Sequence, residues 1–295
     1  MKPAPFAYHA PRSLEDAVAT LAQHGADARV LAGGQSLVRL MNARQVTPSV
    51  LVDINRIPGL DGIEATNGSL RIGALVRQRA SVQSPVVAAE APLLAEAGAQ
   101  VGHEPVRKRG TVVGSIAFAD PSAELPAALL AADGEAVALG PGGERVIAAD
   151  ELFAGPFATT LRPDELLREV RVPRAGGARS GYAFEEVARR HGDLPVCGAA
   201  AVLRLDDGGR VAHARIALCG VDERPVRARA AEDLLTGEQP GEEAFAEAAA
   251  RAAADVHPRA DAHGSVAYRR HLAGVLTRRS LRRALARAQE GAPDA

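Results

Sequence analysis

Two apolar runs, residues 196–205 and 211–221, are separated by Asp206-Asp207-Gly208-Gly209-Arg210. This arrangement limits the second half of the chain to an antiparallel hairpin: both runs have strand length, and the glycines supply the positive φ of a tight turn. The residues that follow lose the period of two. Between residues 264 and 289, Leu272, Val275, Leu276, Leu281 and Leu285 recur on one broad helical face, ahead of a polar tail. A sheet begun by a hairpin and covered by helices is therefore expected here.

The first half mixes short strands and short helices. Ser13-Leu14-Glu15-Asp16 is an N-cap signature, followed by Ala17, Val18 and Leu21 at helical spacing and Gly25 past the end. Residues 29–31 read as a strand running into Ala32-Gly33-Gly34-Gln35-Ser36-Leu37, then a helical stretch ending near Pro48, then a strand at 50–54. Residues 70–75 read as a strand, and Ser84-Pro85 as the cap and first position of one helix running to Val101. A basic turn, Arg107-Lys108-Arg109-Gly110, leads into Thr111-Val112-Val113-Gly114-Ser115-Ile116, whose β-branched residues predict a strand. Asp120-Pro121-Ser122 is expected to open a helix through Leu130, with a strand at 135–139 and a linker at 173–177.

Composition excludes several classes of function. The chain has 295 residues and a net charge of -1, so no overall field draws it to nucleic acid or an anionic membrane. The arginines near the C-terminus (Arg269, Arg270, Arg278, Arg279, Arg282, Arg283, Arg287) read as a solvated helix face or a subunit contact. With six Phe, three Tyr and no Trp, the chain is also poor in platforms for base stacking. Residues 1–10 lack the apolar core of a signal peptide, and no apolar run reaches the ~20 residues that span a bilayer, so a cytoplasmic location without a transmembrane segment is expected. Cys197 and Cys219 lack CxxC spacing, and the histidines lack HxH or HxxxH spacing. Neither an iron–sulfur cluster nor a zinc site is expected in this chain, and both cysteines read as buried thiols.

The chemistry is concentrated in two loops. Gly33 and Gly34 lie between a strand and a helix, where backbone N–H groups can approach a phosphate and the helix dipole favours negative charge. In the second loop Thr111 and Ser115 offer hydroxyls and Gly114 offers close approach, while Asp120 and Glu124 can accept hydrogen bonds from ribose hydroxyls. Either loop alone is equally well explained as an ordinary turn. Together they suit a dinucleotide, whose diphosphate can be gripped from both sides. A helix end contributes ~0.3–1 kcal/mol toward an anion, whereas micromolar to nanomolar retention takes roughly 8–12 kcal/mol, so burial of the remainder of such a ligand must supply the difference.

These motifs, with Val52-Asp53-Ile54, Ile72-Gly73-Ala74, Ala119-Asp120-Pro121-Ser122-Ala123-Glu124-Leu125-Pro126, Tyr182, Arg189-Arg190-His191-Gly192-Asp193 and Tyr268-Arg269, run nearly the length of the chain. In them the chain resembles the FAD-binding medium subunits of the xanthine dehydrogenase and aerobic carbon monoxide dehydrogenase class of molybdenum hydroxylases. The resemblance implies an α+β fold: a two-subdomain FAD-binding region of the PCMH/vanillyl-alcohol-oxidase-like type (residues 1–57 and 58–174), then a C-terminal α/β domain with antiparallel sheet and helices (residues 178–289). It implies that Ala32, Gly33, Gly34, Gln35, Ser36 and Leu37, with Thr111, Val112, Val113, Gly114 and Ser115, hold the FAD diphosphate largely through backbone amides. Asp120 and Glu124 match positions near the adenosine ribose and phosphates, and Leu167 an apolar position close to the cofactor. It further implies a small [2Fe-2S] subunit and a large molybdopterin subunit as partners in a dimer of heterotrimers, with electrons passing from the iron–sulfur subunit through FAD to an external acceptor.

Two departures stand out. Val113 replaces the first glycine of the family's Thr-x-Gly-Gly loop, and the family's flavin-side lysine or aromatic is missing where this chain reads Phe184-Glu185-Glu186-Val187 and Asp193-Leu194-Pro195. A stand-alone FAD oxidoreductase and a flavin-poor scaffold subunit of the same complex remain as alternatives.

Overall fold

The computed structural model describes residues 1–66, 68–177 and 179–290. Ala178, at the expected start of the third domain, and the polar tail at 291–295 lie outside the described residues. The N-terminal unit contains β1 (Ala7–His9), α1 (Leu14–His24), β2 (Ala28–Leu31), α2 (Leu37–Asn42) and β3 (Val50–Asp53). Its strands form a parallel sheet in the order β1-β3-β2. Ser13 caps α1 by accepting the Asp16 N–H at 3.1 Å, and Ala17, Val18 and Leu21 face the core.

The second unit contains β4 (Ile63–Ala65), β5 (Ser69–Gly73), α3 (Gln78–Gln83), α4 (Pro85–Glu90), α5 (Pro92–Gln100), α6 (Glu104–Arg107), α7 (Val112–Phe118), α8 (Glu124–Ala131), β6 (Glu135–Gly140), β7 (Gly143–Ala148), α9 (Ala149–Leu152), β8 (Phe153–Gly155), β9 (Ala158–Thr159) and β10 (Leu166–Pro173). Its main sheet has the order β4-β5-β10-β6-β7, every pair antiparallel. Apart from Glu124 in its first turn, α8 is apolar, and it is buried along its whole length.

Three local expectations are corrected here. The helix expected from Ser84 to Val101 is two helices, because Pro92 cannot donate to the preceding turn and drives Ala91 to φ −141°, ψ 57°. Asp120-Pro121-Ser122 precedes a helix rather than opening one: the Asp120 carboxylate accepts the Ser122 N–H at 2.9 Å in a tight turn, and α8 starts at Glu124. Residues 112–116 are helix, not strand. Val112, Val113 and Ile116 fall on one face of α7 and are each at most 2% exposed, so burial overrides the β preference of valine.

The C-terminal unit contains β11 (Ser180–Val187), β12 (Cys197–Leu205), β13 (Val211–Cys219), β14 (Val226–Arg227), α10 (Arg229–Leu235), α11 (Glu242–Asp255) and α12 (Val266–Glu290). The strands form an antiparallel sheet in sequence order, and β12 and β13 are the expected hairpin. Both cysteines are free and buried. A Cβ on Gly181 would overlap the Ala284 carbonyl and lie 2.6 Å from Ala288 N, so glycine is what lets α12 cross β11.

Most arginines of α12 are tied to acids or carbonyls within the chain, while Arg270, Arg279, Arg282 and Arg283 stay exposed on the helix face. Arg269, 6% exposed, donates to the carbonyls of Val196 and Gly220, both at 2.6 Å, and joins the open ends of the hairpin to the helix. Arg283 and Arg287 reach Glu96 of α5 at 2.7 and 2.6 Å, and Arg278 and Arg282 pair with Glu242. A second tie joins the same halves of the molecule at Asp133, which accepts from Arg215 at 2.7 Å and Arg227 at 2.9 Å. Burial works against its ionisation, but the hydrogen bonds of His213 and Arg215 and the charge of Arg227 hold Asp133 down at about 2. Among the described residues, no helix is long and apolar enough to cross a membrane.

Candidate functional site

The residues after β2 form a loop poised for an anion. Gly34 has φ +73°, a conformation that side chains disfavour, and it turns the chain into α2. The Val38 N–H returns to the Gly34 carbonyl at 3.1 Å, whereas the N–H groups of Gly33, Gly34, Gln35 and Ser36 meet no backbone or side-chain acceptor among the described residues. Consecutive free amides in such a turn make a concave anion site. The loop lines a cleft of about 310 Å³ with Leu31, Val38, Arg39, Asp53, Asn55 and Arg109. Neither Arg39 nor Arg109 forms an ion pair among the described residues.

The two glycine loops touch. A Cβ on Gly33 would overlap the Arg109 carbonyl and lie 2.8 Å from the Gly110 Cα, so this contact is open only to glycine. The second loop is the first turn of α7. Thr111 caps it by accepting the Gly114 N–H at 3.0 Å, the Ser115 N–H closes onto the Thr111 carbonyl at 3.1 Å, and the Val112 N–H is held by the Val76 carbonyl at 3.1 Å. Of its amides, those of Thr111 and Val113 remain uncommitted. The two loops are thus unequal: the first offers a row of free N–H groups, the second mainly hydroxyls and a helix end. A Cβ on Gly114 would overlap Thr111 Oγ1, so this glycine protects the cap. Val113 lies in α7 with an ordinary negative φ and points into the core.

Not every candidate residue lies in the cleft. Ala32, Gly33, Gly34 and Gln35 line it, and Ser36 and Leu37 lead into α2. Leu167 is 5% exposed and belongs to the core. Glu124 is 2% exposed in the first turn of α8; burial, with the nearby charges of Glu186 and Asp120, pushes its carboxyl up to about 8. At neutral pH it therefore carries a proton and can donate a hydrogen bond as well as accept one. Glu186 on β11 is raised to about 7 by burial, and its Oε2 has no hydrogen-bond partner.

A polar network behind the first loop has no local sequence signal. Asn55 Nδ2 donates to the Ala32 carbonyl at 2.8 Å, and both Asn55 N–H and Nδ2 bond to Asp53 Oδ1, at 2.9 and 2.6 Å. Tyr8 donates to the other Asp53 oxygen at 2.5 Å. Arg77, from the segment after β5, donates to Asn55 Oδ1 and to the Arg109 carbonyl, both at 2.7 Å.

The fit to a dinucleotide rests on these features: free amides, a cradle that a Cβ would fill, and uncommitted guanidinium groups at its rim. Comparison with known proteins agrees. Residues 4–175 match the family described as the FAD binding domain in molybdopterin dehydrogenase, and residues 182–284 match the CO dehydrogenase flavoprotein C-terminal domain. The 6-hydroxypseudooxynicotine dehydrogenase complex subunit alpha of Paenarthrobacter nicotinovorans is 41% identical, over 98% of this chain and 97% of its own. The carbon monoxide dehydrogenase medium chain of Hydrogenophaga pseudoflava is 40% identical, over 97% and 99%. A solved structure of carbon monoxide dehydrogenase from H. pseudoflava superposes with a TM-score of 0.94 at 42% identity, covering 97% of this chain and 99% of the other. The α+β architecture, with an FAD-binding region followed by a flavoprotein C-terminal domain, is the same in both. The chain belongs to the family of FAD-binding subunits of molybdopterin dehydrogenases, of the carbon monoxide dehydrogenase medium-chain type.

Proposed function

We propose that this chain binds FAD in the cleft between its two glycine loops and carries electrons from a [2Fe-2S] subunit to an external acceptor within a molybdenum hydroxylase. The observation that carries the reading is the row of free amides from Gly33 to Ser36, packed against the second loop and flanked by Arg39 and Arg109. Gly33, Gly34, Gln35 and Ser36 would hold the diphosphate through backbone N–H groups, with Val113 N–H and the hydroxyls of Thr111 and Ser115 on its other side. Bound FAD would supply a carrier able to take electrons singly or in pairs. The protein's part is to fix it, exclude water around it and present it to the partner subunits.

A partner-dependent role is supported by the family and by the names of its relatives, medium chains and subunits of complexes. The relatives act on chemically unlike substrates, a nicotine derivative and carbon monoxide, with similar chains, which supports placing substrate choice in the molybdenum subunit. In the native assembly, a small iron–sulfur chain and a large molybdopterin chain are expected to copurify with this one. Its flavin should then be reduced by the complex's substrate only when both are present. Turnover of an organic substrate by the isolated chain, at the rate of the assembly, would favour the stand-alone oxidoreductase.

A further inference from the structure

We propose that Arg77 is a positioning residue that sets the spacing and peptide orientation of the two glycine loops, so that they close on a diphosphate as one site. The inference rests on the reading of the cleft as an FAD site and extends it to a side chain outside both loops.

The fork of Arg77 spans the junction between the N-terminal unit and the second unit. One Nη reaches the Arg109 carbonyl, immediately before the second loop; the other reaches Asn55, whose amide in turn holds the Ala32 carbonyl, at the start of the first. Two loops from different units are thus joined through one guanidinium and one carboxamide. The consequence for the amides follows from the planar trans peptide: the Ala32 C=O and the Gly33 N–H point in opposite directions in one plane. Asn55 anchors that carbonyl on one side and so turns the Gly33 N–H toward the other. Across the junction, the Arg109 carbonyl held by Arg77 is the atom against which Gly33 packs without room for a Cβ. Were it released, the carbonyl could rotate against Gly33 and push the loops apart.

The charges fit the same role. Arg77 is half-desolvated and lies near Arg109, and both effects lower its pKa; Asp53 and Asp61 are the acids facing it. A doubly charged diphosphate in the adjoining cleft would relieve that repulsion. Lysine cannot substitute in geometry, because an ammonium on a flexible stem lacks the planar fork that spans two fixed acceptors.

The test measures the dissociation constants of FAD and of ADP for the full chain and for Arg77→Lys, Arg77→Met, Asn55→Ala and Arg77→Lys/Asn55→Ala. Each single variant is expected to weaken both ligands by about tenfold. The double variant should add little, because the two residues act in one chain of contacts. The loss should persist at high salt, where a bare charge effect is screened, and the unfolding midpoint of the ligand-free chain should stay within about 2 °C, the range of a minor change in stability. Retention of affinity within twofold in Arg77→Lys would overturn the inference by showing that charge suffices. Equal retention in both Arg77 variants would overturn it too, as would loss of affinity in step with the unfolding midpoint, which would assign Arg77 to packing. Failure of the unaltered chain to bind either ligand would instead refute the FAD site itself.

Discussion

Gly33→Ala is expected to raise the FAD dissociation constant about a hundredfold, about 3 kcal/mol, while leaving the chain folded. The added Cβ would overlap the Arg109 carbonyl and approach the Gly110 Cα at 2.8 Å, and both neighbours are backbone atoms with no rotamer by which to yield. The loops must part, and a diphosphate gripped from both sides loses one of its walls. Small-to-large changes in packed sites typically cost ~1–3 kcal/mol, here taken from the ligand because the cleft lies at the surface. Val113→Gly is the matched control. It restores the glycine usual in the family, yet Val113 is 2% exposed in the core on α7. Its loss should lower folding stability by about 2–4 kcal/mol, from lost burial and from glycine in a helix. FAD affinity should then change less than tenfold. Flavin fluorescence titration and chemical denaturation of both variants check the pair; full FAD affinity in Gly33→Ala would place the cofactor elsewhere.

The second large effect concerns acid groups at the seam between α8 and the C-terminal sheet. Glu124 is 2% exposed, and its carboxyl is raised from an ordinary 4.5 to about 8 by burial and by the charges of Glu186 and Asp120. Across the seam, Glu186 is raised to about 7 by burial. The sign follows from linkage. Between pH 4.5 and 8 the folded chain holds protons that the unfolded chain releases, so folding stability falls as pH rises through that window. For Glu124 the loss across the window is several kcal/mol, at roughly 1.4 kcal/mol per pH unit. Glu124→Gln removes the titration and keeps the shape. The variant is expected to be more stable than the unaltered chain at pH 8 and to show a flatter dependence from pH 5 to 8, with Glu186→Gln flattening the upper part. A stability that is level across this range in the unaltered chain would contradict the assignment.

What could be read from the sequence was local. The hairpin at Asp206-Asp207-Gly208-Gly209, the Ser13 cap and the buried thiols each depend on neighbours a few residues away, and each is present in the structure. Residues 112–116 misled because β-branched residues at positions i, i+1 and i+4 suit a helix face as well as a strand, and only the tertiary core decides between them. The tie of Arg77 to Asn55 and Arg109 crosses 22 and 32 residues and has no spacing signal at all. The ion pairs of the α12 arginines were hidden for the same reason. Their acids, Glu96 on α5, Glu185 on β11 and Glu242 on α11, are remote in the chain and come beside them only when the helix packs in the fold. The inequality of the two glycine loops was equally hidden, since it depends on which amides the Thr111 cap and the Val76 carbonyl consume.

The central claim, that this chain carries FAD in the cleft between those loops, is tested most directly by the flavin content of the native protein. Denaturation should release about one FAD per chain into the supernatant, because no Cys or His in the described cleft lining offers a covalent attachment point. Arg77→Met and Gly33→Ala proteins prepared in the same way should carry progressively less. A colourless native protein, whose denatured supernatant contains no FAD, would contradict the account and leave the scaffold reading in its place.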